Sequence, residues 1–174
     1  TQASALVILR QCANSMSRRA SEFKTQELSN TIWSFATLGF GLKPLADSGY
    51  NNYVVLASQQ PDADRELMQA AVDAIVRAAV IQLRRFRSQE LNNWAWALAR
   101  LVDQNHKSEA VDHVLKGIGM QLCDQKRKAT SQDIGMVLWS LATLGFAGDD
   151  IYRGIATNVT RQQASGMKPQ ELSN

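Results

Sequence analysis

Thr25-Gln26-Glu27-Leu28-Ser29-Asn30-Thr31-Ile32-Trp33-Ser34-Phe35-Ala36-Thr37-Leu38-Gly39-Phe40 decides the fold, because the chain repeats it. It returns as Ser88-Gln89-Glu90-Leu91-Asn92-Asn93 running into Trp94-Ala95-Trp96-Ala97-Leu98-Ala99-Arg100-Leu101. It returns again as Ser131-Gln132-Asp133-Ile134 leading to Trp139-Ser140-Leu141-Ala142-Thr143-Leu144-Gly145-Phe146. A fourth copy opens at Pro169-Gln170-Glu171-Leu172-Ser173-Asn174. Self-similarity on this scale marks a repeat architecture, in which each unit buries its apolar face against its neighbours. Function is then sought on a surface built by stacking rather than in an enclosed catalytic pocket.

Each copy reads as a helix, A. The hydroxyl at Thr25, Ser88 and Ser131 is expected to cap it, and the acid two residues on (Glu27, Glu90, Asp133) faces the positive end of the helix dipole. Pro169 suits the first helical position in the fourth copy. Leu28, Ile32, Phe35, Ala36 and Leu38 mark the buried side. Trp33, Trp96 and Trp139 occupy one column among Ile, Phe, Leu and Ala, and the expectation is core rather than a stacking platform. Gly39 and Gly145 read as helix-ending glycines with positive φ.

A second helix, B, precedes each A. Residues 8–16 align with 75–83, 114–122 and 151–159, with apolar residues in the first, second, fifth and ninth columns, one face of a helix. Small residues in the sixth column (Ala13, Gly119, Ala156) are expected to let neighbouring helices approach closely; Val80 holds that place in the second unit. The phrase recurs at intervals of 63, 43 and 38 residues. The basic period is 38–43, and the first interval carries an insertion over 41–64 whose Pro44, Gly49, Asn51-Asn52 and Pro61 read as turn and loop. Within it, Val54-Val55-Leu56-Ala57 reads as a short extra element. The expected fold is all-α: a single α-solenoid of stacked helical hairpins over 1–174, with a right-handed superhelix. The pattern starts mid-unit and stops inside a phrase, so the chain is expected to be a piece of a longer array.

With 45% hydrophobic residues the 174-residue chain has the material for a core. A net charge of +3 and a pI near 9.0 permit an anionic partner without demanding one. Cys12 and Cys123, too far apart in sequence for a metal-ligand motif, are expected to be buried reduced thiols. No run approaches the roughly 18 apolar residues of a membrane span. No phosphate loop, metal-ligand cluster or nucleophile motif is present. His106 and His113 read as surface residues, and Asp149-Asp150 as an acidic helix start. An enzyme is not expected, nor a metal or cofactor.

The third column of helix B is basic in every unit: Arg10, Arg77, Lys116 and Arg153. The helix tails add Arg18 and Arg19, then Arg84, Arg85 and Arg87, then Lys126, Arg127 and Lys128, then Arg161 and Lys168. Regularly spaced cations suit a phosphate backbone. Arg10, Arg77, Lys116 and Arg153, with Arg18, Arg85, Arg87, Arg127 and Arg161, are therefore the candidate RNA-backbone contacts. The competing reading is a solvated face whose tail cations complement helix dipoles. On helix A, Gln26 and Asn30 lie one turn apart with Ser34 and Thr37 on the same side. Their counterparts are Gln89, Asn93, Ala97 and Arg100, then Gln132, Met136, Ser140 and Thr143. Amides can bond base edges, and unit-to-unit variation is what a helical repeat reading single-stranded RNA would show. Gln26, Asn30, Gln89, Asn93, Arg100 and Gln132 are the candidate base-facing residues. The alternative for Asn30 and Asn93 is a structural amide ladder, or a bond to a neighbouring helix terminus. Exposure of the B-helix cations favours RNA, whereas burial in ion pairs with Glu27, Glu90 or Asp133 favours a protein scaffold.

Gln-Glu-Leu-Ser-Asn followed by x-x-Trp-Ser-Phe-Ala-Thr-Leu-Gly closely resembles the octotricopeptide repeat, and Pro169-Gln170-Glu171-Leu172-Ser173-Asn174 is similar to its usual opening. Related repeats occur in organellar proteins that end in a RAP domain. The resemblance spans nearly the whole chain outside 41–64. It implies an α-solenoid that binds single-stranded RNA in a mitochondrion or chloroplast and serves RNA processing, stability or translation. Other proteins of an organellar ribonucleoprotein are the further expected partners. After helix A the family's Pro-rich, Trp-containing stretch is replaced by Ala147-Gly148-Asp149-Asp150-Ile151-Tyr152, so only a general role passes to the Gln and Asn positions. The alternative is a protein-binding scaffold within a large organellar assembly.

Overall fold

The computed structural model of the chain describes residues 2–38, 62–124 and 129–162, and among these it is all-helical. The helices are α1 (Gln2–Arg19), α2 (Thr25–Thr37), α3 (Asp62–Gln82), α4 (Ser88–Leu101), α5 (Glu109–Cys123), α6 (Ser131–Thr143) and α7 (Asp149–Gln162). Three short 3-10 turns, Ala20–Glu22, Leu83–Arg85 and Gln104–His106, stand between them. The A helices are α2, α4 and α6; the B helices are α1, α3, α5 and α7. Three residues assigned to the insertion, 62–64, open α3. The rest of it, with Val54-Val55-Leu56-Ala57, lies outside the described residues, as do Gly39 and the fourth copy at 169–174.

Helices of one kind pack in a row. Among the B helices, α1 packs on α3, α3 on α5 and α5 on α7; among the A helices, α2 packs on α4 and α4 on α6. The rows meet where α2 touches α3 and where α5 touches α4 and α6.

The A helices begin where the phrase begins, but the expected hydroxyl cap does not form. Thr25, Ser88 and Ser131 are already the first helical residues, and the capping positions are Lys24, Arg87 and Thr130. The acid at the third helical position reaches back instead. Glu27 Oε2 accepts from the Lys24 backbone N–H, Glu90 Oε2 from that of Arg87 and Asp133 Oδ2 from that of Thr130, each at 2.8 Å. Only Thr130 completes a capping box, its Oγ1 accepting from Asp133 N–H at 3.2 Å, since Lys and Arg side chains carry no acceptor. At the far end of α6, Gly145 takes φ 57° as expected. Phe146 N–H donates to Leu141 O at 2.9 Å and Gly145 N–H to Ala142 O at 3.0 Å, the bond pair of a Schellman motif.

The B row shows which column meets which. Ile151 and Ile155 of α7 are buried while Ala156 is exposed; in α1, Leu9, Ala13 and Met16 are buried while Ile8 and Cys12 are exposed. The first and fifth columns thus face the preceding B helix, and the second and sixth face the following one. α5 has B helices on both sides and buries Val114, Leu115, Ile118 and Gly119 together. The small sixth column works as expected at Gly119: a Cβ there would lie 2.3 Å from Ile151 Cγ2. Gly119→Val is expected to destabilise the chain by roughly 1–3 kcal/mol through overpacking, measured as a lower midpoint in urea. Side-chain amides add polar ties, with Gln82 Nε2 donating to Phe23 O at 3.0 Å and Gln121 Nε2 to Leu83 O at 2.7 Å.

The cysteines differ from expectation: Cys12 is exposed and Cys123 half-buried. Cys12 points away from α3, whereas Cys123 packs against α7 and donates to Ile151 O at 3.6 Å. Burial, and then the nearby Asp150 charge, push the Cys123 thiol above its usual pKa. Less of it is thiolate at neutral pH, so iodoacetamide is expected to label Cys12 well before Cys123, as peptide mapping would read. No helix among the described residues is long and apolar enough to cross a membrane.

Candidate nucleic-acid interface

The tryptophan column is the largest departure from the sequence expectation. Trp33 is 44% exposed and Trp139 37%, and Trp96 is half-buried. The buried stripe of α2 is Leu28, Ile32 and Phe35, and one residue past Ile32 turns the helix by about 100°, which carries Trp33 out of the core. It comes to lie on the flank of Gln26 and Asn30, at spacings of seven and three. In α4 the indole that enters the core is Trp94, 1% exposed and edge-on to Phe86 at 5.7 Å.

Trp33 and Trp96 meet across the α2–α4 contact, with ring centroids 6.4 Å apart and planes tilted by 32°. They form one wall of a groove of about 610 Å³ running over α4 to α6. Gln89 and Asn93 of α4 and Gln132 and Met136 of α6 line the rest of its surface. Among the described residues the side chains of Gln26, Asn30, Gln89, Asn93 and Gln132 have no hydrogen-bond partner. Those of the neighbouring column do: Ser29 Oγ donates to Glu90 O at 3.3 Å, and Asn92 Nδ2 donates to Asp133 Oδ1. The tie to a neighbouring helix start therefore belongs to Ser29 and Asn92, and Asn30 and Asn93 are left free. Asp133 lines the groove, but both its oxygens are engaged, by Asn92 and by Thr130 N–H.

Three hydroxyls of the strip have their protons engaged. Ser34 donates to Asn30 O at 2.7 Å, Thr37 to Trp33 O at 2.9 Å and Ser140 to Met136 O at 2.8 Å, each back to its own helix. Arg100 lies with its guanidinium carbon 5.0 Å over the Trp96 ring.

The B-helix cations are exposed, and none is buried against Glu27, Glu90 or Asp133, whose carboxylates cap their own helices. The four do not make a uniform ladder. Arg10 is held by Asp64 of α3 in a two-pronged pair, Nε to Oδ1 at 2.8 Å and Nη2 to Oδ2 at 2.6 Å. That hydrogen bonding, and then the charge, raise the guanidinium pKa further. Arg153 Nε donates to Asp149 O at 3.3 Å. Arg77 and Lys116 have no partner among the described residues. None of the four lines the groove, which is built from the A helices and the Thr130 cap. Of the tail cations, Arg18, Arg85 and Arg87 are exposed, and Arg19 is paired with Glu22 at 2.6 Å. Arg127 and the side chain of Arg161 lie outside the described residues.

The structure thus brings together Gln89, Asn93 and Gln132, with Arg100 stacked on the groove wall. It sets Gln26 and Asn30 on the exposed flank of α2 and the B-helix cations elsewhere. Trp33 and Trp96 belong with this set, and their spacing from Gln26, Asn30, Gln89 and Asn93 carries the signal. The chain matches no family model, no curated protein and no solved structure.

Proposed function

We propose that the chain is an α-solenoid that binds single-stranded RNA in the groove of its A row. The observation that carries this reading is the pairing of accessible indoles with unpartnered amides: the exposed Trp33 and the half-buried Trp96 beside Gln89, Asn93 and Gln132. Unstacked bases are held on aromatic rings and hydrogen-bonded along their edges, and stacking is worth about 1–3 kcal/mol per base. The row-by-row packing of A on A and B on B supports the solenoid, and a right-handed superhelix is part of the same proposal. The resemblance to the octotricopeptide repeat points the same way, towards RNA processing, stability or translation in a mitochondrion or chloroplast.

The test is a titration of labelled single-stranded RNA at two salt concentrations. Gln89→Ala with Asn93→Ala is expected to weaken binding about ten-fold or more. Arg77→Ala with Arg153→Ala is expected to cost only a few-fold, lost at higher salt, because charges outside the groove act through a screened field. Absence of affinity at low salt would sink the reading.

A second reading, a protein-binding scaffold, is favoured by the exposed Ile81 (82%) and Met120 (56%) on α3 and α5. They stand one turn beyond Arg77 and Lys116, and large exposed apolar side chains beside cations suit a protein partner better than a phosphate backbone.

A further inference from the structure

Resting on the RNA reading above, we propose that Arg100 makes the second unit of the groove selective for a base with two adjacent hydrogen-bond acceptors, guanine or cytosine, over adenine or uracil. Arg100 is half-buried, its Nε is shielded from solvent, and among the described residues it has neither a hydrogen-bond nor an ion-pair partner. The shielded Nε is a donor that nothing in the protein satisfies, whereas the two terminal amino groups are not sealed from the surface and form the fork that a base can meet. The Trp96 face beneath it, at 5.0 Å, offsets part of the charge desolvation and fixes the plane of the fork. It supplies no acceptor.

The position differs in the flanking units. Thr37 and Thr143 stand there, and the Thr37 hydroxyl is spent on Trp33 O. Arg100 therefore distinguishes one unit from the others instead of belonging to a uniform basic stripe. Arg100 does not itself line the groove; it sits on the Trp96 ring that does, and a base stacked at the Trp96 end of the groove is the one the fork is proposed to meet.

A planar fork of parallel N–H donors is matched by two acceptors side by side. Guanine offers O6 and N7 on one edge. Cytosine offers O2 and N3 on its pairing edge, which is free in a single strand. Adenine sets a donor next to N7, and uracil interrupts its two carbonyls with an N–H. The wrong bases leave the fork half-satisfied, which is the source of the discrimination.

The experiment titrates the chain with short all-uridine oligonucleotides and with the same strands carrying one central guanosine, cytidine or adenosine. The guanosine and cytidine strands are expected to bind about ten-fold tighter than the other two. Arg100→Met is expected to erase that preference. Arg100→Lys, which keeps the charge and loses the fork, is expected to erase it too, with circular dichroism showing both variants folded. Equal binding of all four strands overturns the inference and leaves the RNA reading standing. If Arg100→Met weakens all four equally and flattens the salt slope, Arg100 is a phosphate contact and the inference is again overturned. If no strand binds, both readings fall.

Discussion

Replacing Trp33 and Trp96 together by alanine is expected to weaken binding of a short single-stranded RNA by on the order of a hundred-fold, at a stability cost of about 1–2 kcal/mol. The exposed Trp33 offers a stacking surface worth about 1–3 kcal/mol per base, and Trp96 both walls the groove and carries Arg100, so losing the two is a large effect. The stability cost is limited because Trp33 is 44% exposed, and it falls mainly on Trp96, which is half-buried and packs against the core. Their mutual contact at 6.4 Å is an aromatic pair worth roughly 1 kcal/mol. Fluorescence anisotropy gives the affinity and a thermal melt the stability. A variant that melts many degrees lower would return these indoles to the core, and unchanged affinity would remove them from the RNA surface.

The opposite outcome is expected two residues away. Trp94→Ala is expected to destabilise the chain by about 3–5 kcal/mol, a large share of a typical domain's stability. The side chain is 1% exposed and edge-on to Phe86, itself buried in the turn before α4. Its loss opens a cavity between the A row and that turn, which the stacked helices on both sides prevent from closing. A thermal midpoint roughly 10 °C lower would match. RNA affinity measured well below that midpoint is expected to stay within a few-fold of the parent.

The contrast between Trp94 and Trp96 shows how far the sequence could be read. The phrase at 25, 88 and 131 located three helix starts to the residue, because capping acids and apolar spacing are local signals. The alignment of the B helices anticipated the close approach at Gly119, because a small residue in a fixed column is a packing signal. The Trp column reads as core because its neighbours in sequence are apolar, whereas burial follows the helical face, which leaves Trp33 and Trp139 exposed and Trp96 half-buried. Measured by turns, Trp33 falls with Gln26 and Asn30, and Leu28, Ile32 and Phe35 fall together. The capping residue was placed one position late, since a hydroxyl at the first helical residue mimics a cap. The partners of Asn92 and Arg10 were not legible, because Asp133 and Asp64 come to them only through packing between units.

Photocrosslinking with a 4-thiouridine-substituted single-stranded RNA, followed by peptide mapping, locates the bound strand on the helices. Crosslinks are expected in α2, α4 and α6, at or beside Trp33, Trp96 and Gln132, and they should vanish with excess unlabelled RNA. Crosslinks confined to α1, α3, α5 and α7, or none at low salt, would contradict the assignment of the A-row groove as the RNA-binding surface.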